Sequence, residues 1–315
     1  MYTDFLIYIF FFVIMWIGSG LIVNSVSNFA KGLDFSPFIV SFFVLGITTS
    51  FPEVVVGVNS ILKGTPEIFV GNLLGGVFYI FFFVIPFLAL IGNGIKINRQ
   101  ITKKTIIFSI FIIIFPLLVI SDKFIHPYEG FFALLTYLSL FIFHKFKTDA
   151  FLRFKHLFFH NKINLFLDTV KFILGLLSVY LSSSIIVDKT ILFSQVFSLS
   201  PFLISLFAVS VGSNLPELFI AIRGVVSGHK EIALGDYFGS ACANTLIFGI
   251  LTLFNMKPFS LINGFEVLFI LMLLGFVLFY YFAMSDKNIT KSEGFLLFLV
   301  YVSFVLFELS LRIYD

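Results

Sequence analysis

Long apolar runs, broken at intervals by short clusters of Lys, Arg, Asp, Asn and His, fill the chain from residue 5 to residue 312. A helix needs about 20 predominantly apolar residues to cross a bilayer. The polar breaks place ten such segments, over 5–24, 36–62, 66–93, 105–120, 128–144, 165–187, 200–226, 231–255, 262–284 and 292–312. This pattern predicts an all-α integral membrane protein. The clearest polar stretch, HKFKTDAFLRFKHLFFHNK from His144 to Lys162, falls between spans five and six. It separates two halves of five spans, residues 1–143 and 165–315, with a basic linker over 144–164. The first run starts directly after Asp4, with no basic leader and no small-residue cleavage site, and so reads as a retained span.

Inside these runs the sequence repeats. SPFIVSFFVLGITTSFPE from Ser36 aligns without a gap on SPFLISLFAVSVGSNLPE from Ser200, an offset of 164. At the same offset KGTPEIFVGNLLGG from Lys63 meets SGHKEIALGDYFGS from Ser227, pairing Gly64 with Gly228, Glu67 with Glu231, Gly71 with Gly235 and Gly75 with Gly239. Shared Phe or Ile is expected of any two apolar segments, and glycine alone can signify close helix packing. Agreement at Pro52 and Pro216, at Glu53 and Glu217, and at several glycines goes beyond both. The repeats cover about 36–84 and 200–248. Spans two and seven are five crossings apart, an odd number, so the repeat is inverted. Inverted repeats with interrupted helices and a site near the midplane characterise many secondary transporters.

Composition agrees: the chain is 59% hydrophobic and 12% charged, with a mean hydropathy of +1.10, against about a quarter charged in soluble domains. The net charge of +3 is spread between spans, so no continuous basic face points to nucleic acid. The single cysteine, Cys242, excludes an internal disulfide and a Cys-based metal cluster. Fifteen of the twenty Lys and Arg residues fall on one side of the predicted topology and five on the other. Positive charge is enriched in short cytoplasmic loops, which puts the 144–164 linker in the cytoplasm and both termini outside, in a multi-pass protein of the cell membrane.

The chemistry concentrates on Glu53 and Glu217. A carboxylate at the bilayer centre costs at least about 2.5–3.5 kcal/mol, so an intramembrane ionisable residue is a functional hypothesis by default. Pro52 and Pro216 lack an amide hydrogen and are expected to leave the carbonyls of Thr48 and Gly212 without their helical donors. Thr49 and Ser213 stand four residues before each glutamate, on the same helical face, and Ser50 and Asn214 add a further oxygen in each repeat. This is a hard oxygen set, suited to Ca2+, Na+ or protons. Two carboxylates balance one divalent cation. Left empty they would repel each other, so the site should cross the membrane filled with one ion or its replacement.

The segments TTSFPE and GSNLPE, each followed at matching distance by GNLLGG and GDYFGS, resemble the two alpha repeats of the calcium/cation antiporter superfamily, in particular the sodium/calcium exchangers. The resemblance spans both repeats and the ten-span plan. It implies ten helices in two inverted five-helix halves, with cation sites between spans two, three, seven and eight. It further implies that Glu53 and Glu217 bind Ca2+ and share the Na+ sites, that Thr49, Ser50, Ser213 and Asn214 are helix-break ligands, and that Ser240 and Asn244 are ligands on span eight. In span three the aligned positions are Gly76 and Ile80, where the family ordinarily carries a serine and an asparagine or aspartate. Fewer side-chain oxygens leave the coupling ion open between Na+ and H+.

The expected function is secondary antiport of Ca2+ against Na+, with H+/Ca2+ antiport as the alternative within that class. No cofactor, nucleic acid or obligatory protein partner is implied, only the transported ions and the bilayer. A cation-binding homologue that does not transport is a further alternative. ALGD at Ala233–Asp236 also resembles the loop of intramembrane aspartyl proteases, but no second mid-membrane aspartate accompanies it. Asp236, Glu67 and Glu231 read as helix-start acids that suit the helix dipole. Glu129, Asp168, Glu266, Glu293 and Glu308 are expected in interfacial water, the basic linker along anionic headgroups, and Cys242 as a packing residue.

Overall fold

The computed structural model describes residues 1–30, 42, 46–92, 94–97, 102–143, 165–215, 217–218, 230–261, 265–285 and 288–313. The 144–164 linker and Pro216 lie outside the described residues. Ten helical spans are present among them. Span one is Tyr2–Ala30; span two is built from Gly46–Thr49 and Phe51–Leu62; span three runs over Glu67–Ile91; spans four and five are Lys103–Val119 and Pro127–Phe143. Span six is Leu165–Phe197, span seven includes Pro201–Ser213, and spans eight to ten are Lys230–Asn255, Phe265–Ser285 and Lys291–Ile313. Six of these are long and apolar enough to cross a membrane on length and composition alone.

Spans one and six extend beyond the expected 5–24 and 165–187. Asp188 and Lys189 read as loop residues in the sequence, but Asp188 pairs with Lys63 at 2.8 Å and Lys189 with Asp4 at 2.7 Å. With both charges partnered, the helix continues for nearly three more turns to Phe197. Asp168 and Glu308, expected in water, are only 5% and 4% exposed. Glu308 is buried because it faces inward, towards Tyr8, Phe193 and Phe207 in an apolar crevice of about 450 Å³.

The inversion follows from which residues meet. Span three lies along span seven in the same direction, since Gly71 faces Phe202 and Ser205, Gly75 faces Leu206 and Ser210, and Gly76 faces Asn214. Span two lies along span eight in the same way: Phe42 meets Gly239, Ser50 meets Ser240 and Gly57 meets Leu251. Spans two and three are joined by the short 63–66 turn and so oppose each other. Their partners must then oppose each other too, and span two runs against span seven.

These crossings depend on absent side chains. A Cβ on Gly239 would lie 1.9 Å from the Phe42 carbonyl oxygen, and one on Gly75 would lie 2.4 Å from that of Leu206. The two contacts are equivalent at the offset of 164, and they bring helices together backbone to backbone, as small residues do in membrane interfaces. Spans three and eight become the centre of the molecule: 78% of their apolar window is buried inside the protein, against 33% in spans one and six.

The repeat continues beyond the segments aligned in the sequence. Strand β1 (Ile95–Lys96) pairs with β4 (Asn288–Ile289), and β2 (Phe124–Ile125) with β3 (Phe259–Ser260). The register Ile95 to Ile289 maps on Ile125 to Phe259 at the offset of 164. Glu129 and Glu293 are likewise equivalent, and accept from the backbone N–H of His126 at 2.7 Å and Thr290 at 2.8 Å. The acids read as solvated are thus reciprocal helix-start caps. Each strand pair, and the Lys123–Glu266 ion pair, joins residues that the count of basic residues places on one side of the membrane.

Ala in place of Gly75 or Gly239 should lower the free energy of unfolding by about 1–3 kcal/mol or more through overpacking. Thermal unfolding in detergent checks this, with Gly20→Ala as the reference, since nothing lies within 4 Å of a Cβ there.

Candidate cation site

Both helices that carry the glutamates break where the sequence predicts. Ser50 (φ −79°, ψ 10°) and Asn214 (φ −93°, ψ 17°) leave helical geometry, and Pro52 occupies the first turn of the segment that resumes. The breaks share one mechanism. The hydroxyls of Thr49 and Ser50 both donate to the Gly46 carbonyl, at 3.3 and 2.9 Å. Equivalently, Ser213 Oγ and Asn214 Nδ2 donate to the Ser210 carbonyl, at 3.3 and 2.8 Å. Side-chain donors thereby reach carbonyls of the preceding turn, an arrangement that bends helices.

The backbone carbonyls show one difference from expectation. The Asn214 N–H closes on the carbonyls of Gly212 and Ser210, so Gly212 is not left without a donor as Pro216 alone implies. The helix ends at Ser213, and the following residue folds its own amide back. Thr48 is half-buried beside the equivalent break in span two.

The predicted side chains come together at the crossing of spans two, three, seven and eight. Thr49, Ser50, Glu53, Ser213, Asn214, Glu217, Ser240 and Asn244 are all buried, none more than 3% exposed. Ser240 Oγ lies 3.3 Å from Glu217 Oε1 and 3.0 Å from Ser50 Oγ. Glu53 and Glu217 are close enough to interact electrostatically, and the hydroxyl facing each belongs to the other repeat: Ser213 towards Glu53 and Thr49 towards Glu217. Ser213 gives its hydrogen bond to Asn72 Oδ1 at 2.9 Å, and neither oxygen of Glu53 has a donor.

Unpaired acceptors define the character of the site. Glu53 Oε1 and Oε2, Glu217 Oε2, Asn214 Oδ1 and Asn244 Oδ1 are buried without a hydrogen-bond partner, as against a single donor there, Asn72 Nδ2. Each unmet buried polar group costs about 1–3 kcal/mol, more if charged. These five oxygens, three of them on the two facing carboxylates, need positive charge, and the residue types fit a hard cation.

Two features were not legible in the sequence. Asn72, aligned with Asp236 but given no role, fixes Ser213. Tyr237 donates from its hydroxyl to the Glu217 carbonyl oxygen at 3.2 Å. The asymmetry seen at Ile80 is structural as well: Ile80 is fully buried and begins a π-helical turn, Ile80–Val84, whereas Asn244 sits in regular helix and donates to the Leu73 carbonyl at 3.2 Å. Such turns recur at functional sites.

An inverted pair of five-helix halves enclosing an oxygen-rich site defines a membrane protein of the secondary-transporter class. The family described as sodium/calcium exchanger protein matches the chain twice, over residues 3–146 and 167–310. Start and end of the two matches each differ by 164, the offset of the repeat. The chain belongs to this family. Among curated relatives, the putative antiporter CaxA of Alkalimonas amylolytica is 26% identical over 230 residues, covering 71% of this chain and 72% of its own. The inner membrane protein YrbG of Escherichia coli is 22% identical over 234 residues, covering 72% of each. The fold is shared with the sodium-calcium exchanger NCX_Mj, at a TM-score of 0.66 and 20% identity over 96% of this chain and 98% of that one. It is shared too with the H+/Ca2+ exchanger CAX, at 0.76 and 15% over 96% and 82%.

Asn72→Ala should lower the stability of the cation-free protein by about 1 kcal/mol, because Ser213 is left with only its longer hydrogen bond, to the Ser210 carbonyl at 3.3 Å. A thermal melt in detergent is the measurement, with an unchanged melting temperature as the contrary result.

Proposed function

We propose that this protein is a secondary active antiporter that carries Ca2+ on Glu53 and Glu217 and exchanges it by alternating access. The observation that carries the reading is the set of five buried acceptor oxygens without donors, held on spans two, seven and eight and drawn from both inverted repeats. Two carboxylates neutralise one divalent cation. The hydroxyls of Thr49, Ser50, Ser213 and Ser240 and the amides of Asn214 and Asn244 provide further oxygens towards the six to eight that Ca2+ takes. The carbonyl of Thr48, at the break in span two, is a further candidate, whereas that of Gly212 is already closed by the Asn214 N–H. With the Ca2+ gone, the facing carboxylates require another positive charge, and this requirement couples outward to inward movement.

The first reading takes Na+ as the counter-ion, supported by the match to the sodium/calcium exchanger family. H+ is the second reading, favoured by Gly76 and Ile80, because each Na+ would need several oxygens of its own and span three offers neither side chain. The relatives support the class in both forms, since NCX_Mj is a sodium-calcium exchanger and CAX an H+/Ca2+ exchanger. The same reading makes the protein a transporter with no catalytic residue. The excess of basic residues supports an orientation with the 144–164 linker in the cytoplasm and the termini outside, in the cell membrane.

Ca2+ uptake into oriented vesicles, driven in turn by a Na+ gradient and a pH gradient, decides between counter-ions. Uptake that ignores Na+ but follows the pH gradient selects the second reading. Glu53→Gln and Glu217→Gln should each reduce exchange by about a hundredfold or more, as loss of one of two charge-balancing ligands predicts. Normal Ca2+ flux in both variants would overturn the assignment of the site. Ca2+ binding without flux in the unaltered protein would identify a cation-binding homologue instead.

A further inference from the structure

The inverted repeat allows each contact at the site to be compared with its counterpart. On one side Ser50 of span two faces Ser240 of span eight, hydroxyl to hydroxyl at 3.0 Å. At the offset of 164 the counterpart is Asn214 of span seven facing Gly76 of span three. A Cβ on Gly76 would lie 2.7 Å from Asn214 Nδ2 and 3.5 Å from both Cγ and Oδ1. Any side chain at position 76 would therefore collide with the amide. Two serines and an asparagine–glycine pair carry the same number of non-hydrogen side-chain atoms, so the exchange conserves volume, the kind of core substitution that packing tolerates best.

The amide is also oriented. Its nitrogen donates to the Ser210 carbonyl at 2.8 Å and to Ser213 Oγ at 3.2 Å. A carbonyl can only accept, which identifies the nitrogen and fixes Oδ1 as the free end. That oxygen is buried and has no donor. On the opposite side, Ser240 donates to Glu217 and lies within hydrogen-bond distance of Ser50. Gly76 has no hydroxyl to do the same for Glu53.

We propose that Asn214 and Gly76 form one coupled pair, in which the Asn214 amide reaches from span seven to supply the cation-binding oxygen that span three lacks. The proposal rests on the cation reading above and adds which half completes the site. Gly76 is then a requirement of this site and not a lost ligand: its bare Cα admits the amide. Restoring the serine that the family resemblance expects at position 76 should harm the protein unless Asn214 is made smaller as well.

The test is a double-substitution cycle on the full-length protein in detergent, with equilibrium binding of radioactive Ca2+ as one readout and thermal unfolding without Ca2+ as the other. Gly76→Ser and Asn214→Ser should each weaken Ca2+ binding by about tenfold, whereas the double variant, which recreates the Ser50–Ser240 arrangement, should return to within about threefold of the unaltered protein. Neutral Gly76→Ser, or losses that multiply to about a hundredfold in the double variant, would overturn the pair while leaving the site assignment intact. Should Gly76→Ser alone fail to fold, recovery of folding and binding in the double variant still demonstrates the coupling. A double variant that also fails would refute it. Absence of Ca2+ binding in the unaltered protein would instead overturn the cation reading, and this proposal with it.

Discussion

Two carboxylates enclosed in a membrane protein impose a charge balance that the rest of the molecule serves. Glu53 and Glu217 are each at most 1% exposed and stand near enough to repel. No basic side chain is recorded bonding to either among the described residues. In the proposed function, neutrality comes from the ion that passes through. Their placement requires two broken helices, and each break is held by side-chain donors that bond back to Gly46 or Ser210. Those donors leave oxygen lone pairs available, so the residues that stabilise the break also furnish the lining.

Bringing the side chains of four helices into one cluster demands that the helices come close. The glycine crossings achieve this, Gly239 against Phe42 and Gly75 against Leu206. The same contacts bury spans three and eight and leave spans one and six on the lipid side of the bundle. Packing and ion site are accordingly one construction. A change at Gly75 acts on the position of Asn72 and Gly76, which occupy the same stretch of span three.

Much of this was legible in the chain. Proline, glutamate and glycine recur at a fixed offset because each answers a backbone or charge requirement that other residues do not meet, and the odd number of crossings gave the inversion. What escaped was pairwise. Nothing in a one-dimensional pattern shows that Asn72 accepts from Ser213, that Glu129 and Glu293 cap their own helices, or that Asp188 and Lys189 are paired and continue a helix instead of ending it. Glu308 was misjudged because nearness to a span end indicates depth but not which way a side chain faces. Gly76 was read as a missing ligand, yet its meaning depends on Asn214 across the interface, 138 residues away (214 − 76).

The exchanged strand pairs carry a consequence for how the molecule is made. β1 belongs to the first half and finds its partner, β4, in the second, while β3 of the second half finds β2 in the first. Neither half can close its own edges. Ile95 must wait for Ile289, which is synthesised 194 residues later (289 − 95), and non-local pairing of this kind is slow and leaves edges open in the meantime. Closure of this strand pair thus waits for the segment between spans nine and ten. The oxygen cluster itself needs only span eight, which carries Ser240 and Asn244, so a ribosome stalled just after the second glutamate would leave both carboxylates in the membrane without those partners.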